Sequence, residues 1–198
     1  MKTFRIITWV LVAIVLVGVG YMTWQEQKPG SDSITFAQIG GPFALVDHNG
    51  QQVDQTMFDN KPYALFFGFT HCPEICPTSL YEMAGWIEGL GAEADKMRFA
   101  FVTVDPERDT PEMLKDYITV FSDKITGLTG SEEQVQATVK SYGVVAERVA
   151  LEDDDYTMNH TASVFLMNAD GTFRGTIAYG EDADVAQKKL SNLIAVGS

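Results

Sequence analysis

Apolar and polar positions divide the chain into one long apolar run near the start, a short polar stretch, and then alternating blocks of strand and helix character. Ile6 to Trp24 forms the run, about 19 residues and as a helix enough to span a hydrocarbon core of about 30 Å. From about Gln25 to Ser33 the chain is polar and unpatterned, as a tether is. Beyond it, Tyr63 to Phe69 and Phe99 to Val104 are apolar at nearly every position, which predicts strands covered on both faces. Phe43 to Val46 followed by Asp47-His48-Asn49-Gly50 predicts a hairpin arm and its turn, with His48 exposed on the turn. Helices are predicted from Pro77 to about Leu90, with Leu80, Met83, Ala84 and Ile87 on one stripe, and from Thr110-Pro111 to Phe121. Two more run from Ser131 to Tyr142, closed by Gly143, and through Ala186, Leu190, Leu193 and Ile194. Ile125 to Leu128 is a short linking segment. Val144 to Leu151 with Tyr156 to His160, and Ser163 to Met167 with Thr172 to Ile177, read as two further hairpins. This order predicts a single α/β sandwich around a central mixed sheet, with right-handed crossovers.

The apolar run also sets the compartment. Lys2 and Arg5 precede it, and basic residues on a short flank favour leaving that end in the cytoplasm. Tyr21 and Trp24 suit the far interface. A cleavable signal peptide is the alternative, since Gly18-Val19-Gly20 is small-residued, but the run exceeds the ~7–15 residues of a signal core and no A-x-A follows. The expectation is an uncleaved single-pass anchor over residues 1–24 with a cytoplasmic end at 1–5, a tether over 25–33, and a folded domain over 34–198. The simplest setting is a bacterial inner membrane with the domain facing the periplasm. A net charge of −13 argues against nucleic acid and against anionic lipid beyond the anchor, and is compatible with a basic protein partner.

Candidate chemistry concentrates at Thr70-His71-Cys72-Pro73-Glu74-Ile75-Cys76-Pro77, which follows the strand Ala64 to Phe69 and opens a helix. Cys72 and Cys76 are the only two cysteines. A bridge across so short a gap closes almost no loop entropy, so the pair is chemical rather than architectural, suited to soft-metal binding or thiol-disulfide exchange. Each cysteine precedes a proline, which biases it away from helical angles and presets the loop. A helix N-terminus favours thiolate, which predicts lowered pKa values for both. His71, adjacent to Cys72, points the other way and belongs to the rim. His160 ends a predicted strand and on its own is either structural or a ligand. Met158 shares its face and fills the core or touches metal transiently. Glu152-Asp153-Asp154-Asp155 is a solvated hairpin tip or a contact for a basic partner. Asp105 and Arg108 leave a buried strand whose end faces the cysteine corner; they shape the site and its docking surface, or else belong to a loop in which Asp109 or Thr110 caps a helix and Arg108 pairs locally.

The layout, with cysteines where the central strand meets the first long helix, is that of a thioredoxin-like fold. Gly68 to Pro77, Asp105-Pro106-Glu107-Arg108-Asp109-Thr110-Pro111 and Asn159-His160-Thr161 together resemble the SCO/SenC family of copper proteins, which serve cytochrome c oxidase assembly, over roughly Phe43 to Ala195. The resemblance implies a membrane-tethered metallochaperone rather than an enzyme, binding one copper per chain, Cu(I) or Cu(II), through Cys72, Cys76 and His160. Two thiolates and one imidazole suit copper; zinc prefers a fourth ligand. Implied partners are cytochrome c oxidase subunit II or another exported copper acceptor, a copper donor and a thioredoxin-like reductant. Family members often carry an acid where this chain has Asn159, which removes a charged partner for the histidine and so alters affinity or redox preference. The alternative is a thiol-disulfide oxidoreductase acting on an exported copper protein. Against it, the cysteine spacing is one residue longer than in thioredoxins, and no proline precedes the final hairpin. A peroxiredoxin-type reading fails on the missing proline of its motif.

Overall fold

The computed structural model describes residue 9, residues 17–18, 39–152 and 155–197. The anchor and tether expected over 1–33 lie outside the described residues, apart from Trp9, Val17 and Gly18. Among the described residues, no helix is long and apolar enough to cross a membrane. Contacts separate Met1–Ser33 from a second unit, Ile34–Ser198, whose fold follows.

Among the described residues of this unit, nine strands and four α-helices follow one another: β1 (Ala44–Asp47), β2 (Gln52–Asp54), β3 (Tyr63–Gly68), α1 (Ile75–Leu90), β4 (Arg98–Thr103), α2 (Pro111–Ile118), β5 (Ile125–Thr129), α3 (Glu132–Ser141), β6 (Ala146–Ala150), β7 (Tyr156–His160), β8 (Val164–Met167), β9 (Phe173–Ile177) and α4 (Ala183–Val196). Seven strands form one mixed sheet in the order β2-β1-β5-β4-β3-β8-β9, parallel across β5-β4-β3 and antiparallel elsewhere. β6 and β7 pair antiparallel in a separate ribbon, with Ala146 opposite His160. The β3 and β4 apolar runs supply Phe66, Phe67, Phe99 and Phe101 to the core, each fully buried and worth about 1.5–3 kcal/mol of transfer free energy. β5, expected only as a linking segment, is a central strand, and Leu128 and Ile125 bury completely.

Helix ends explain most departures from the sequence reading. α1 starts at Ile75, two residues before Pro77. The first turn tolerates Pro77 because its N–H would have no intrahelical partner there. Cys76 is therefore helical, against its pre-proline bias. Glu74 gives α1 no side-chain cap; instead Cys72 Sγ accepts from the Cys76 N–H at 3.4 Å. Thr110 caps α2 by accepting from Met113 N–H, and α2 ends at Ile118, where Thr119 turns its hydroxyl back onto the Lys115 carbonyl. Ser131 and Gln134 form a capping box on α3, and Gly143 (φ 64°) follows its end in the left-handed conformation that glycine adopts without a Cβ clash. His48 is not simply exposed on its turn: its Nδ1 accepts from the Gly127 N–H at 2.9 Å and ties the first hairpin to β5.

Candidate metal centre

β3 and β4 run parallel and deliver their C-terminal ends to the same edge of the sheet, where the cysteine loop leaves β3. Burial there leaves little room. A Cβ on Gly68 would stand 2.7 Å from Cys76 Sγ and 2.8 Å from Phe101 Cε2, so only glycine lets the strand end pass this close beneath the sulfur. Past Phe69, a buried carboxylate anchors the loop. Asp109 accepts from Thr70 N–H at 3.1 Å, from Thr70 Oγ1 at 2.6 Å and from Thr103 Oγ1 at 2.6 Å. Burial pushes its pKa up, and these hydrogen bonds oppose that shift. Asp109 thus fixes the start of the cysteine loop, and the helix cap falls to Thr110.

Both cysteines are free thiols, Cys72 half-buried and Cys76 buried. Their protonation splits rather than moving together. The hydrogen bond from the Cys76 thiol, reinforced by His160 and the amides of Cys76 and Glu74, pulls Cys72 down to about 3 against the opposing effect of burial. Donating that hydrogen bond, and burial, push Cys76 well above the ordinary thiol range. The expected lowering holds for Cys72 alone; Cys76 is a buried proton donor until a metal or an oxidant takes its place.

His160 is the last residue of β7, and its Nε2 lies 3.4 Å from Cys76 Sγ. Its Nδ1 lies 3.1 Å from the Thr161 carbonyl oxygen. A carbonyl only accepts, so Nδ1 donates there and Nε2 is the ring atom that faces the sulfurs. Phe66 and Phe69 meet the ring in T-shaped contacts at 6.2 and 5.7 Å between centroids. One donor atom from each of Cys72, Cys76 and His160 can be chosen so that all lie within 4.8 Å of one another. This is the only such group of His, Cys, Asp and Glu among the described residues. Two soft sulfurs and one imidazole, with no fourth ligand of these types, fit copper better than zinc.

The remaining candidates separate clearly. His71 is exposed, with Nδ1 3.0 Å from Thr70 Oγ1, and stays outside the donor group. Met158 packs against the core. Asn159 is exposed and alternates with His160 across the strand. Asp155, at the acidic tip, reaches Arg108 at 3.5 Å, while Asp153 and Asp154 lie outside the described residues. Arg108 pairs locally with Asp105 and also crosses to the ribbon, donating to the Tyr156 carbonyl at 3.0 Å. The sequence reading placed Asp109 only as a helix cap, Gly68 and Phe69 only as part of a motif, and Tyr156 only as the start of a strand. Tyr156 alone carried a signal, since it sits at the period-two positions of Met158 and His160.

The fold and site define a class: a thioredoxin-like domain that holds soft metal ions at its cysteine corner. Its family follows from comparison. The SCO1/SenC family model matches residues 31–195, and the chain belongs to that family. Its structure is similar to Bradyrhizobium japonicum ScoI with copper bound, at 41% identity and a TM-score of 0.74, covering 78% of this chain and 99% of that one. It is also similar to Arabidopsis thaliana ScoI with copper bound, at 34% identity and a TM-score of 0.75, covering 80% and 99%. A SCO2-like protein of Rickettsia felis is 35% identical over 180 residues, 85% of this chain and 88% of its own length.

Proposed function

We propose that this chain is a copper metallochaperone that takes copper at Cys72, Cys76 and His160 and passes it by ligand exchange to an exported apo-protein, the binuclear copper site of cytochrome c oxidase. The observation that carries the reading is the convergence of the three donors within 4.8 Å, from a loop, a helix and a separate ribbon, with the imidazole Nε2 facing the Cys76 sulfur. Copper in two ScoI relatives and membership of the SCO1/SenC family support it. Residues 1–24 serve as an inner-membrane anchor and 25–33 as a tether, and the domain works in the periplasm. Carbonate extraction of membranes tests the anchor: the protein stays with the pellet, and release into the wash would refute it.

A second reading has its own observation. A Cys72 thiolate beside a protonated Cys76 is also the arrangement that attacks a disulfide and then resolves the mixed intermediate. The two readings are linked, because oxidation of the pair removes two of the three donors. A thioredoxin-like reductant is therefore a required partner of the chaperone. Copper stoichiometry measured on the full-length protein in detergent, anaerobically for Cu(I) and aerobically for Cu(II), separates the readings when compared across Cys72→Ser, Cys76→Ser and His160→Ala. One copper per chain that falls in all three variants supports the chaperone. Binding indifferent to His160, together with brisk exchange on a model disulfide, would replace it with the oxidoreductase.

A further inference from the structure

The ribbon that carries His160 is tied down by side chains. β6 and β7 pair only with each other, so the backbone ladder of the main sheet does not hold them. Tyr156 opens β7 and His160 closes it, two alternations apart on one face. Tyr156 Oη donates to Asp105 Oδ1 at 2.8 Å, and Arg108 Nε donates to Asp105 Oδ2 at 2.5 Å. Arg108 Nη1 donates to the Tyr156 carbonyl, and its guanidinium lies 3.7 Å from the centre of the Tyr156 ring. Arg148, paired with Glu107, lies 3.9 Å from the same ring. Asp105 is 2% exposed, so its bonds to Arg108 and Tyr156 are not surface contacts of small consequence, whereas the Arg148–Glu107 pair is exposed. The Arg108 guanidinium also lies 5.8 Å from the centre of the Phe69 ring, which meets the His160 imidazole in a T-shaped contact. A continuous set of contacts therefore runs from the loop after β4 to the third donor.

We infer that Asp105, Arg108 and Tyr156 form a clamp that positions His160 against the two cysteines, and so sets how readily the centre passes between three donors and its two sulfurs alone. The inference rests on the copper reading above. Both Arg108 and Tyr156 act through others: Arg108 through Phe69, Tyr156 through the strand it shares with His160. With the clamp closed, the imidazole stays at the sulfurs. With it open, the ribbon moves as a unit and leaves Cys72 and Cys76 in place, because the Asp109 carboxylate and the close packing at Gly68 hold that corner through contacts that include neither the Arg108 nor the Tyr156 side chain. A partner that competes for Arg108 or Tyr156 would release copper without touching a ligand.

Two measurements on the full-length protein in detergent test this. In the metal-free protein, amide hydrogen exchange should speed up at least tenfold across residues 156–161 in Arg108→Ala and in Tyr156→Phe, while β4 stays protected. Tyr156→Phe keeps the ring and both guanidinium contacts and removes only the bond to Asp105, so it carries the test should Arg108→Ala fail to fold. Unchanged exchange in β7 would overturn the clamp whatever copper does. In the second measurement, Cu(I) affinity is read by competition with a chromogenic chelator. Arg108→Ala should weaken binding about tenfold or more in the parent and less than about twofold in a His160→Ala background. Equal losses in both backgrounds would show that Arg108 does not act through His160. If His160→Ala itself leaves affinity unchanged, the copper reading fails while the exchange result still decides the clamp.

Discussion

Replacing Gly68 with alanine puts one methyl group into the tightest contact of the metal centre. The new Cβ would stand 2.7 Å from Cys76 Sγ and 2.8 Å from Phe101 Cε2, where ordinary contact begins at 3.4 Å. Cys76 and Phe101 are both fully buried, so neither can swing into solvent. The sulfur or the strand must retreat by about 0.7 Å, several times the ±0.2 Å within which metal–ligand distances are held. Overpacking of this kind costs about 1–3 kcal/mol, and at this chain length each kcal/mol lowers Tm by about 2–4 °C. The expected result is a metal-free Tm lower by about 2–12 °C and a Cu(I) affinity lower by at least about tenfold, or 1.4 kcal/mol. Calorimetry on the metal-free protein and chelator competition measure the two. Gly85→Ala is the control, because nothing lies within 4 Å of a Cβ on that exposed helical glycine. It should gain up to about 1 kcal/mol from helix propensity and leave copper binding alone. Parent-like Tm and affinity in Gly68→Ala would refute the claim that the close approach of β3 places the Cys76 sulfur.

Further outcomes follow from protonation and from the buried carboxylate. Iodoacetamide should alkylate Cys72 well before Cys76 at pH 5–7, and mass mapping of the first modified peptide checks it; modification of Cys76 first would reverse the assignment. Because the folded pKa of Cys72 lies below that of a free thiol, its contribution to stability is full in alkaline solution. That contribution declines as pH falls toward about 3, so melting curves of the parent and Cys72→Ser should converge at the acid end. Asp109→Ala leaves three donors without their acceptor and should destabilise the fold by about 3 kcal/mol or more in urea titrations. Asp109→Asn, which keeps one acceptor oxygen, should lose less.

Local patterns were readable from the chain, and contacts across it were not. The apolar runs of β3 and β4, the stripe of α4 and the β6–β7 hairpin follow from period and turn signals, and the structure places them as expected. The cysteine corner was readable because strand, loop and helix are contiguous in sequence. Its detail was not, because Cys72 Sγ caps α1 and so draws Cys76 into a helical turn that its proline alone would disfavour. His160 meets Cys76 across 84 residues, a contact no spacing rule supplies, and only the family resemblance pointed to it. Asp109 hid for a different reason. An acid before Thr-Pro reads as a helix start, yet this one turns inward to the Thr70 loop.

Copper K-edge X-ray absorption on the Cu(I)-loaded protein reads the ligand set itself. The expected coordination is two sulfurs and one imidazole nitrogen, with the imidazole scattering lost in His160→Ala and one sulfur lost in each cysteine variant. A parent shell of sulfur alone, unchanged by His160→Ala, would contradict it.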